Sequence, residues 1–353
     1  MAENRKILIT STDLMMVQFL LPHVRNLSEK GWNITLACAD VGGRMEEIRA
    51  SLTGIPLNSI VLRRSPWHRE NFRGYRQLRH LLKTGNFDIL WTNEPVMGAL
   101  SRLAARNTGT KVLYLCHGFH FSRGGPRKYW LFYPAEWILA RRTDLLVTVN
   151  REDLALANRM KPGKSAYISG IGVDTARLYP GSGDLRAELG IPAACKCVLS
   201  VGELNENKDQ ASLLRAAARA GDPGIHVLLC GKGPREAYLK TLAEELGLSA
   251  RVHFLGYRRD MGRVYAAADL LVHTARREGL GLAVLEGAFC GLPVIGWDIR
   301  GLRDYGNCLL PAGDLDALAE AIQNPPSPLS QGVLQPYLLE TVKKEMERLL
   351  ESL

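Results

Sequence analysis

Two glutamates, Glu278 and Glu286, stand eight positions apart in the segment REGLGLAVLEGAFCGLPVIGWD (277–298). Between and after them, GLAVLEGAFCG has the composition of a helix that begins near Gly281 and closes at Gly291. A helix N-terminus ordinarily attracts anions, because its first amides have no partner within the helix and its dipole is positive there. Two carboxylates beside such an end therefore have to be explained by the chemistry of a ligand.

The free amides of this predicted helix would be those of Gly281, Leu282 and Ala283. They favour an anion by ~0.3–1 kcal/mol through the dipole, with hydrogen bonds in addition, so a diphosphate fits there. Ionised carboxylates accept hydrogen bonds from hydroxyl groups. Glu278, before the helix, and Glu286, one turn inside it, could then bind hydroxyls on either side of the diphosphate. This pattern predicts a nucleotide sugar.

The loop after another predicted strand carries a cation suited to the same ligand. In CVLSVGELNENKDQ (197–210), Gly202 ends the strand and Lys208 comes just before a helix that Asp209 is predicted to cap. An ammonium group at this place suits a phosphate. A surface lysine in an ordinary loop between strand and helix is the alternative reading of Lys208 alone.

Two weaker signals follow the next strands. Gly231 and Gly233 come after the strand HVLLC, where glycine lets backbone approach a ligand closely. Tyr257 ends VHFLGY (252–257) and could flank a flat base, although an ordinary turn explains it equally well. Both loops are predicted to belong to the donor-binding surface.

The N-terminal half also has polar residues that follow predicted strands. His117 directly follows the strand KVLYLC (111–116), and His120 and Arg123 lie in the loop beyond it. A structural role is the ordinary reading of an isolated histidine. Three polar residues of two other loops are further ligand-site candidates, against the alternative of solvated loop residues: Arg64, Asn93 and Glu94.

Short apolar runs alternating with helix-length stretches position these loops. The pattern predicts a doubly wound α/β fold, because buried parallel strands read as continuous apolar runs separated by helices. In the N-terminal half the predicted strands are 6–10, 33–38, 87–92, 111–116 and 145–150. After a turn-rich hinge at 169–183, the pattern resumes with 197–204, 226–231, 252–257, 270–275 and 292–298.

A chain of 353 residues exceeds what one hydrophobic core usually serves, so two domains are expected. We predict two Rossmann-like domains, an N-terminal one at 1–168 and a C-terminal one at 169–330. Residues 331–353 should form an amphipathic helix that packs back on the N-terminal domain. Ligands of such sheets bind beyond the carboxyl ends of the strands, so two facing sheets would bind theirs in the cleft between them.

Composition and charge limit the classes of function. Residues 1–170 hold 25 Lys and Arg against 13 Asp and Glu, a net charge of +12, whereas residues 171–353 carry −3. The basic half indicates an anionic partner, and no recognised nucleic-acid motif points to nucleic acid. No apolar run reaches the ~18 residues of a membrane span. Cysteines in apolar segments, with no signal peptide before them, predict a cytoplasmic chain.

Two segments allow readings of opposite kinds. KYWLFYPAEWILARR (128–142) interleaves aromatic and basic residues, as in a helix that docks on anionic lipid, but a helix burying its aromatic face is equally expected. Asp314 and Asp316 form a D-x-D pair, a pattern that binds manganese in other transferases. Both stand at a predicted helix start, as cap and first turn, so no metal is predicted there.

The motifs together resemble the retaining glycosyltransferases of family 4, which have the GT-B fold, and in particular the bacterial enzymes that build exopolysaccharide or capsule repeat units. The similarity runs along nearly the whole chain. The segments that carry it are LCHGFHF (115–121), VGELNENK (201–208), GKGP (231–234), VHFLGYRRDM (252–261) and REGLGLAVLEGAFCGLPVIGWDIRG (277–301).

This resemblance implies two Rossmann-like domains, a nucleotide-sugar donor bound to the C-terminal one and an acceptor to the N-terminal one, with no metal or other cofactor required. It implies that Glu278 contacts the donor sugar, Glu286 the ribose and Lys208 the diphosphate. It also implies that His117 lies near the reacting sugar carbon and orients donor or acceptor. Because no nucleophile is well placed, we expect front-face substitution, in which the leaving phosphate helps to accept the acceptor's proton.

The sequence departs from the family pattern at two places. Many members have arginine after the glycine of the first C-terminal strand, where this chain has Glu203, so Lys208 would neutralise the phosphates with less help. Many also have a glycine pair after the first N-terminal strand, where this chain reads STDLMMVQFLLP (11–22). The backbone groups that would contact the donor there are therefore not assigned.

The predicted enzyme transfers a hexosyl or N-acetylhexosaminyl group from a UDP-sugar to a glycan or a polyprenyl-pyrophosphate-linked acceptor. Contact with the anionic inner face of the cell membrane is a further expectation. Two alternatives remain: a UDP-sugar epimerase, which shares the donor site but needs no acceptor, and a non-catalytic protein that binds a nucleotide sugar or nucleic acid. The sequence leaves the sugar, the linkage and the oligomeric state open.

Overall fold

The computed structural model describes residues 5–39, 45–121 and 125–353, and the chain divides into two compact units. Unit 1 comprises Met1–Ile171 and Glu340–Leu353, and unit 2 comprises Gly172–Leu339. Each is built on one parallel sheet with the strand order of a doubly wound fold. The predicted pair of Rossmann-like α/β domains is therefore confirmed.

The sheet of unit 1 has the strand order β3-β2-β1-β4-β5-β6-β7, and that of unit 2 has the order β10-β9-β8-β11-β12-β13. In unit 1 the strands are β1 Lys6–Asp13, β2 Asn33–Ala39, β3 Leu57–Ser59, β4 Ile89–Asn93, β5 Lys111–Cys116, β6 Leu145–Thr148 and β7 Lys164–Tyr167. In unit 2 they are β8 Lys196–Val201, β9 Ile225–Cys230, β10 Val252–Gly256, β11 Leu270–His273, β12 Val294–Trp297 and β13 Leu309–Leu310.

The helices lie between the strands in the expected alternation. In unit 1 they are α1 Leu14–Glu29, α2 Met45–Ser51, α3 Glu70–Gly85, α4 Pro95–Ala104, α5 Tyr133–Ala140 and α6 Arg151–Met160. In unit 2 they are α7 Leu185–Glu188, α8 Gln210–Ala220, α9 Glu236–Glu245, α10 Met261–Ala266, α11 Leu282–Phe289, α12 Leu315–Gln323 and α13 Gln331–Leu334. The last helix is α14 Leu339–Glu351.

In each sheet the chain adds strands first on one side of the starting strand and then on the other. The place where this order reverses, the switch point, is where such sheets usually bind ligands. In unit 1 the chain winds from β1 to β2 on one side and from β4 to β5 on the other, so the switch lies between β1 and β4. In unit 2 it lies between β8 and β11. The crevice outside the carboxyl ends of the two central strands is the usual ligand site of such sheets.

The sequence missed three strands, and their composition explains why. β3 has three residues that are partly or fully exposed, and β7 reads KSAY, which has no apolar run. β13 has only two residues, Leu309 and Leu310. All three lie at sheet edges, where one side of the strand has no neighbour and the strong apolar signal of a central parallel strand is lost.

The end of the chain differs from the predicted division. Residues 331–339 belong to unit 2, where Val173 forms a parallel bridge with Leu338. Residues 340–353 belong to unit 1, as expected of the closing helix. α14 buries an i, i+4, i+8 stripe of Val342, Met346 and Leu350, the pattern of an amphipathic helix.

Candidate active site

The switch point of unit 2 holds the residues predicted for the donor. Lys208 lies in the loop after β8, and Glu278 lies in the loop after β11, the strand paired with β8. The Lys208 Nζ is 2.5 Å from Oε2 of Glu278, and both side chains are largely buried. The structure thus brings together a cation and an anion that the sequence places 70 residues apart.

Glu278 is held as a carboxylate by its surroundings. Burial alone would raise the pKa of Glu278, but the hydrogen bond from His273 and the positive charge of Lys208 outweigh burial and lower it below its usual value. The second oxygen, Oε1, accepts a hydrogen bond from the Gly279 amide at 3.1 Å. Glu278 is therefore ionised at neutral pH and has a fixed orientation.

The helix predicted to begin near Gly281 does so. Gly281 precedes α11 with φ of +80°, and a Cβ there would be 2.9 Å from the Tyr305 hydroxyl, so glycine is required both by conformation and by space. The first amides of α11, those of Leu282 and Ala283, have no partner within the helix by its geometry. They suit an anion at the carboxyl ends of the strands.

Glu286 lies in the second turn of α11, and its side chain is hydrogen-bonded to Tyr265 of α10. The Tyr265 hydroxyl donates to Oε2 of Glu286 at 2.7 Å. Burial raises the pKa of Glu286, and the bond from Tyr265 offsets this in part. A half-buried carboxylate with one oxygen engaged retains acceptor capacity for a hydroxyl group of a ligand.

The glycines predicted to approach a ligand instead approach the protein's own backbone. A Cβ at Gly231 would lie 1.9 Å from the carbonyl oxygen of Gly202, and one at Gly233 would lie 2.3 Å from that of Leu204. At Gly202 a Cβ would be 3.3 Å from the side chain of Lys208. Close packing of the loops after β8 and β9 is thus sufficient to explain Gly231 and Gly233 as glycines.

The loop that presents Lys208 is braced in a way the sequence did not indicate. Asp209 stands at the N-cap position of α8, but its side chain makes no capping bond, so the predicted cap is wrong. Its Oδ2 accepts from Ser212 Oγ at 3.0 Å and from Arg276 Nε at 3.2 Å. The Thr274 hydroxyl donates to the carbonyls of Lys208 and Asp209.

Tyr257, which was predicted to flank a base, follows β10 and has a half-exposed side chain.

In unit 1, Glu94 and Asn93 occupy the switch point between β1 and β4. Glu94 has a φ of +64° and accepts hydrogen bonds from the Thr12 amide and from Ser11 Oγ, residues at the end of β1. Burial raises the pKa of Glu94, and the bond from the Thr12 amide counteracts it. This strained backbone directs the carboxylate back onto β1, so Glu94 is not a solvated loop residue.

His117, at the end of β5, is neutral and has a defined tautomer. Asn93 Nδ2 donates to the Thr10 carbonyl at 2.9 Å, which leaves Asn93 Oδ1 facing His117 Nε2 at 3.2 Å. Nε2 must therefore carry the proton, by assignment from the hydrogen bonds. Burial lowers the pKa of His117 to about 4, so the ring is uncharged at neutral pH.

Arg64 reaches the same switch point from the loop after β3. Its Nη2 is 2.5 Å from Oδ2 of Asp13, although the arginine side chain is 75% exposed. Asp13 also caps α1 by accepting from the Met16 amide at 3.2 Å. His120 is exposed, with its ring against Tyr129, and Arg123 lies outside the described residues.

The structure adds residues that sequence reasoning did not select. Asp13, Ser11 and Thr12 line the switch point of unit 1, and His273 and Tyr265 hold the two glutamates of unit 2. A signal existed for His273, which lies within the predicted strand LLVHTA (270–275), five residues before Glu278. Tyr265 lies on α10, 21 residues before Glu286, and no local pattern connects the two.

The two residues of the D-x-D pair act as predicted from their place at a helix start. Asp314 caps α12 through a 3.0 Å bond from the Ala317 amide, and Asp316 pairs with Arg219 at 2.6 Å. Across residues 5–39, 45–121 and 125–353, no three His, Cys, Asp or Glu side chains converge to hold a metal ion.

The aromatic segment 128–142 divides its side chains between core and surface. Tyr129, Tyr133 and Trp137 pack against a buried cluster of unit 1. Four large apolar side chains of the same segment are instead exposed: Trp130, Leu131, Phe132 and Ile138. The reading of a helix that buries its aromatic face therefore holds for part of the segment, and docking on lipid stays a prediction. In the described part of the chain no helix is long and apolar enough to cross a membrane.

Comparison with known proteins places this geometry in a family. The model of glycosyl transferases group 1 matches residues 182–324, and that of the glycosyl transferase 4-like domain matches residues 16–168. EpsD of Bacillus subtilis (strain 168), named as a glycosyltransferase, is 38% identical over 338 residues, which cover 91% of this chain and 87% of EpsD. The Escherichia coli UDP-Gal:alpha-D-GlcNAc-diphosphoundecaprenol alpha-1,3-galactosyltransferase is 28% identical, over 69% of this chain and 68% of its own length.

Solved structures agree on the fold. The crystal structure of Anabaena Alr3699/HepE in complex with UDP superposes with a TM-score of 0.83 at 19% identity and covers 99% of this chain and 100% of that one. WaaG, a glycosyltransferase involved in lipopolysaccharide biosynthesis, gives a TM-score of 0.72 at 17% identity, over 97% and 99% of the two chains. These neighbours have the GT-B fold, which confirms the predicted fold class.

Proposed function

Because the chain belongs to the family 4 glycosyltransferases of GT-B fold, of the exopolysaccharide type, we propose that it transfers a sugar from a UDP-sugar, with retention, to a glycan or polyprenyl-pyrophosphate-linked acceptor. The proposed setting is bacterial exopolysaccharide or capsule synthesis. The sugar is a hexosyl or N-acetylhexosaminyl group.

The cluster at the switch point of unit 2 carries the proposal. Lys208 and the free amides at the start of α11 supply positive charge for a diphosphate, and Glu278 and Glu286 supply acceptors for hydroxyl groups on its two sides. In this role Lys208 contacts the diphosphate, Glu278 the donor sugar and Glu286 the ribose. Tyr257 is proposed to flank the base, and Gly202, Gly231 and Gly233 are proposed to shape the loops around it.

Two relatives support a UDP-sugar and a lipid-linked acceptor. The name of the Escherichia coli relative gives UDP-Gal as donor and a diphosphoundecaprenol-linked GlcNAc as acceptor. The Anabaena protein has been crystallised with UDP and glucose and with UDP-glucose. The present chain is 28% identical to the Escherichia coli relative and shares its fold with the Anabaena protein.

Unit 1 is proposed to bind the acceptor. Its switch point offers Arg64, Asn93, Glu94 and His117, and Arg64 is exposed enough to exchange its bond to Asp13 for an anionic acceptor. His120 is proposed to extend this surface, and Arg123, which lies outside the described residues, stays an acceptor-site candidate from the sequence. With Nε2 committed to Asn93, the free nitrogen of His117 is Nδ1, which can accept a hydrogen bond from a hydroxyl group of donor or acceptor.

The proposed chemistry is front-face substitution. The bond from the anomeric carbon to the diphosphate breaks, the acceptor hydroxyl adds on the same face, and a phosphate oxygen of the leaving group receives the hydroxyl proton. Stabilising the departing charge is then the main contribution of the protein, through Lys208 and the α11 amides. A neutral His117 orients the reactants and does not act as the base. Lys208 and the amides take the place of a metal in this scheme, so none is required.

We further propose that unit 1 contacts the cytoplasmic face of the cell membrane, where a lipid-linked acceptor would be found. Segment 128–142 exposes Trp130, Leu131, Phe132 and Ile138 next to exposed basic residues at both its ends. Its one acid, Glu136, is buried and paired with Arg102. An apolar surface flanked by cations suits an anionic bilayer.

One experiment separates this function from its alternatives. The protein is incubated with UDP-sugars, with and without a lipid extract as acceptor, and released UDP is measured. A transferase releases UDP only when an acceptor is present, and NMR of the product should show the anomeric configuration of the donor. Conversion of the UDP-sugar without acceptor would indicate an epimerase. Binding of UDP-sugar without any turnover would indicate a binding protein.

A further inference from the structure

His273 is buried beside the proposed donor site and has no role in the scheme so far. It is the last residue of β11 and only 4% exposed. Its Nε2 lies 3.2 Å from Oε2 of Glu278, the same oxygen that Lys208 contacts. One carboxylate oxygen is therefore shared by a lysine in one loop and a histidine at the end of the adjacent strand.

The histidine can only be the donor in this contact. Burial lowers the pKa of His273, and the nearby carboxylate does not reverse the shift, so the ring is neutral at physiological pH. A neutral imidazole carries one N–H, and a carboxylate can only accept, so Nε2 bears the hydrogen. The bond adds no second positive charge to the Lys208–Glu278 pair.

Three groups donate hydrogen bonds to the Glu278 side chain, and a bound diphosphate would displace only one of them. The amide of Gly279 and the ring of His273 are fixed by backbone and burial. Lys208 has a flexible side chain, and a diphosphate would compete with Glu278 for its ammonium group. When Lys208 turns toward phosphate, Oε2 of Glu278 keeps only the hydrogen bond from His273.

We propose that His273 is a positioning residue, which holds the Glu278 carboxylate against the donor sugar while Lys208 serves the diphosphate. The assignment rests on the proposed function, because it needs Glu278 to bind a sugar hydroxyl. His273 does not touch the substrate in this scheme. Its loss should therefore slow turnover while leaving the affinity for UDP, which lacks the sugar, nearly unchanged.

The test compares three substitutions in the full-length protein. His273→Gln keeps an N–H donor at about the distance of Nε2, His273→Asn is polar but too short to reach, and His273→Leu removes the donor. We expect kcat to fall about tenfold or more in the Asn and Leu variants, and to recover to within about threefold in the Gln variant. UDP dissociation constants should stay within about threefold of the wild type in all three.

A pH profile gives a second readout that a purely structural role would not move. Glu278 faces Lys208 and His273, and Arg300 Nε donates to its backbone carbonyl at 3.3 Å. Burial and then the charge of Glu278 raise the pKa of the Tyr305 hydroxyl. The His273 bond favours the carboxylate, so its loss should raise the pKa of Glu278. The acid limb of kcat/KM should then move to higher pH in His273→Asn and not in His273→Gln.

Several results would overturn the assignment. They are wild-type turnover in both the Asn and the Leu variant, equal loss in Gln and Asn, or a loss of UDP affinity as large as the loss of kcat. The variant Glu278→Gln distinguishes an error in the role of His273 from an error in the proposed donor site. If it abolishes transfer while His273→Asn does not, only the role of His273 is wrong. If Glu278→Gln turns over normally, the proposed donor site itself fails.

Discussion

Lys208 and Glu278 neutralise each other at the switch point of unit 2, and their geometry makes the site responsive to a ligand. The two side chains carry opposite charges at 2.5 Å, and the third member of the group, His273, is neutral. A diphosphate brings net negative charge, which one ammonium and a helix N-terminus must stabilise. With Glu203 where many relatives have arginine, Lys208 should carry an unusually large share of this stabilisation.

Lys208→Ala should reduce kcat at least about a hundredfold, a loss of ~2.7 kcal/mol in transition-state stabilisation, because no second cation is assigned to the diphosphate. His117→Ala should give a loss of similar size by misorienting the reactants. The measurement is UDP release under saturating acceptor. Lys240→Ala, on α9, and His80→Ala, on α3, are matched controls with exposed side chains and should turn over normally. Wild-type rates in Lys208→Ala or His117→Ala would remove the corresponding role.

The sequence was sufficient to predict some residues of the candidate site but not the residues that hold them in place. Lys208, Glu278 and Glu286 could be selected because their loops follow apolar runs, and the carboxyl ends of parallel strands meet at one edge of a sheet. His273 and Tyr265 could not, because their contacts depend on which strands become neighbours and on how α10 packs. The sequence predicted that Gly231 and Gly233 make room for a ligand. In the structure they make room for the loop after β8, and a sequence pattern cannot distinguish these two reasons for a glycine.

At the scale of elements, the loops after β8 and β9 act as one structure. Gly202 donates its amide to the Cys230 carbonyl at 2.9 Å, and Gly231 leaves no room for a Cβ beside the Gly202 carbonyl. The position of the Lys208 loop therefore depends on the loop behind it. Central strands were predictable from apolar runs, whereas the short edge strands β3, β7 and β13 depend on pairing that the sequence does not display.

Gly231→Ala should destabilise unit 2 strongly, by about 3 kcal/mol or more, because backbone must move to accept the methyl group. Its φ of +147° adds strain for any L-residue. Gly247→Ala is the control, since its φ is +67° but nothing lies within 4 Å of the added Cβ. It should cost only about 1–2 kcal/mol, the strain of the left-handed conformation. Urea denaturation measures both, and equal costs would contradict the packing explanation.

At the scale of the whole molecule, unit 1 is the basic half and also exposes the most prominent apolar side chains. Besides Trp130, Leu131 and Phe132, unit 1 exposes Trp67 at 87% and Phe72 on α3. Association with an anionic surface would use both properties, because charge attracts the protein and apolar side chains insert. Composition revealed the charge asymmetry, but only the packing of segment 128–142 in the structure separated its exposed from its buried aromatic residues.

The double substitution Leu131→Ser with Ile138→Ser should lower binding to vesicles rich in anionic lipid by about tenfold or more, since each removes exposed apolar surface that would be buried in the interface. Co-sedimentation with vesicles measures the partitioning. Val333→Ser, which removes a partly exposed apolar side chain of unit 2, should bind like the wild type. Binding that does not depend on the anionic lipid content would argue against the membrane proposal.

We propose above that the switch point of unit 2 binds the diphosphate of a nucleotide sugar between a helix N-terminus and an acidic pair. A crystal of the protein soaked with UDP would reveal the binding site. We expect Lys208 Nζ and the amides of α11 at about 3 Å from phosphate oxygens, and Glu286 accepting a hydrogen bond from a ribose hydroxyl. A nucleotide bound elsewhere, or Glu286 directed away from the ribose, would show that the proposed donor site is wrong.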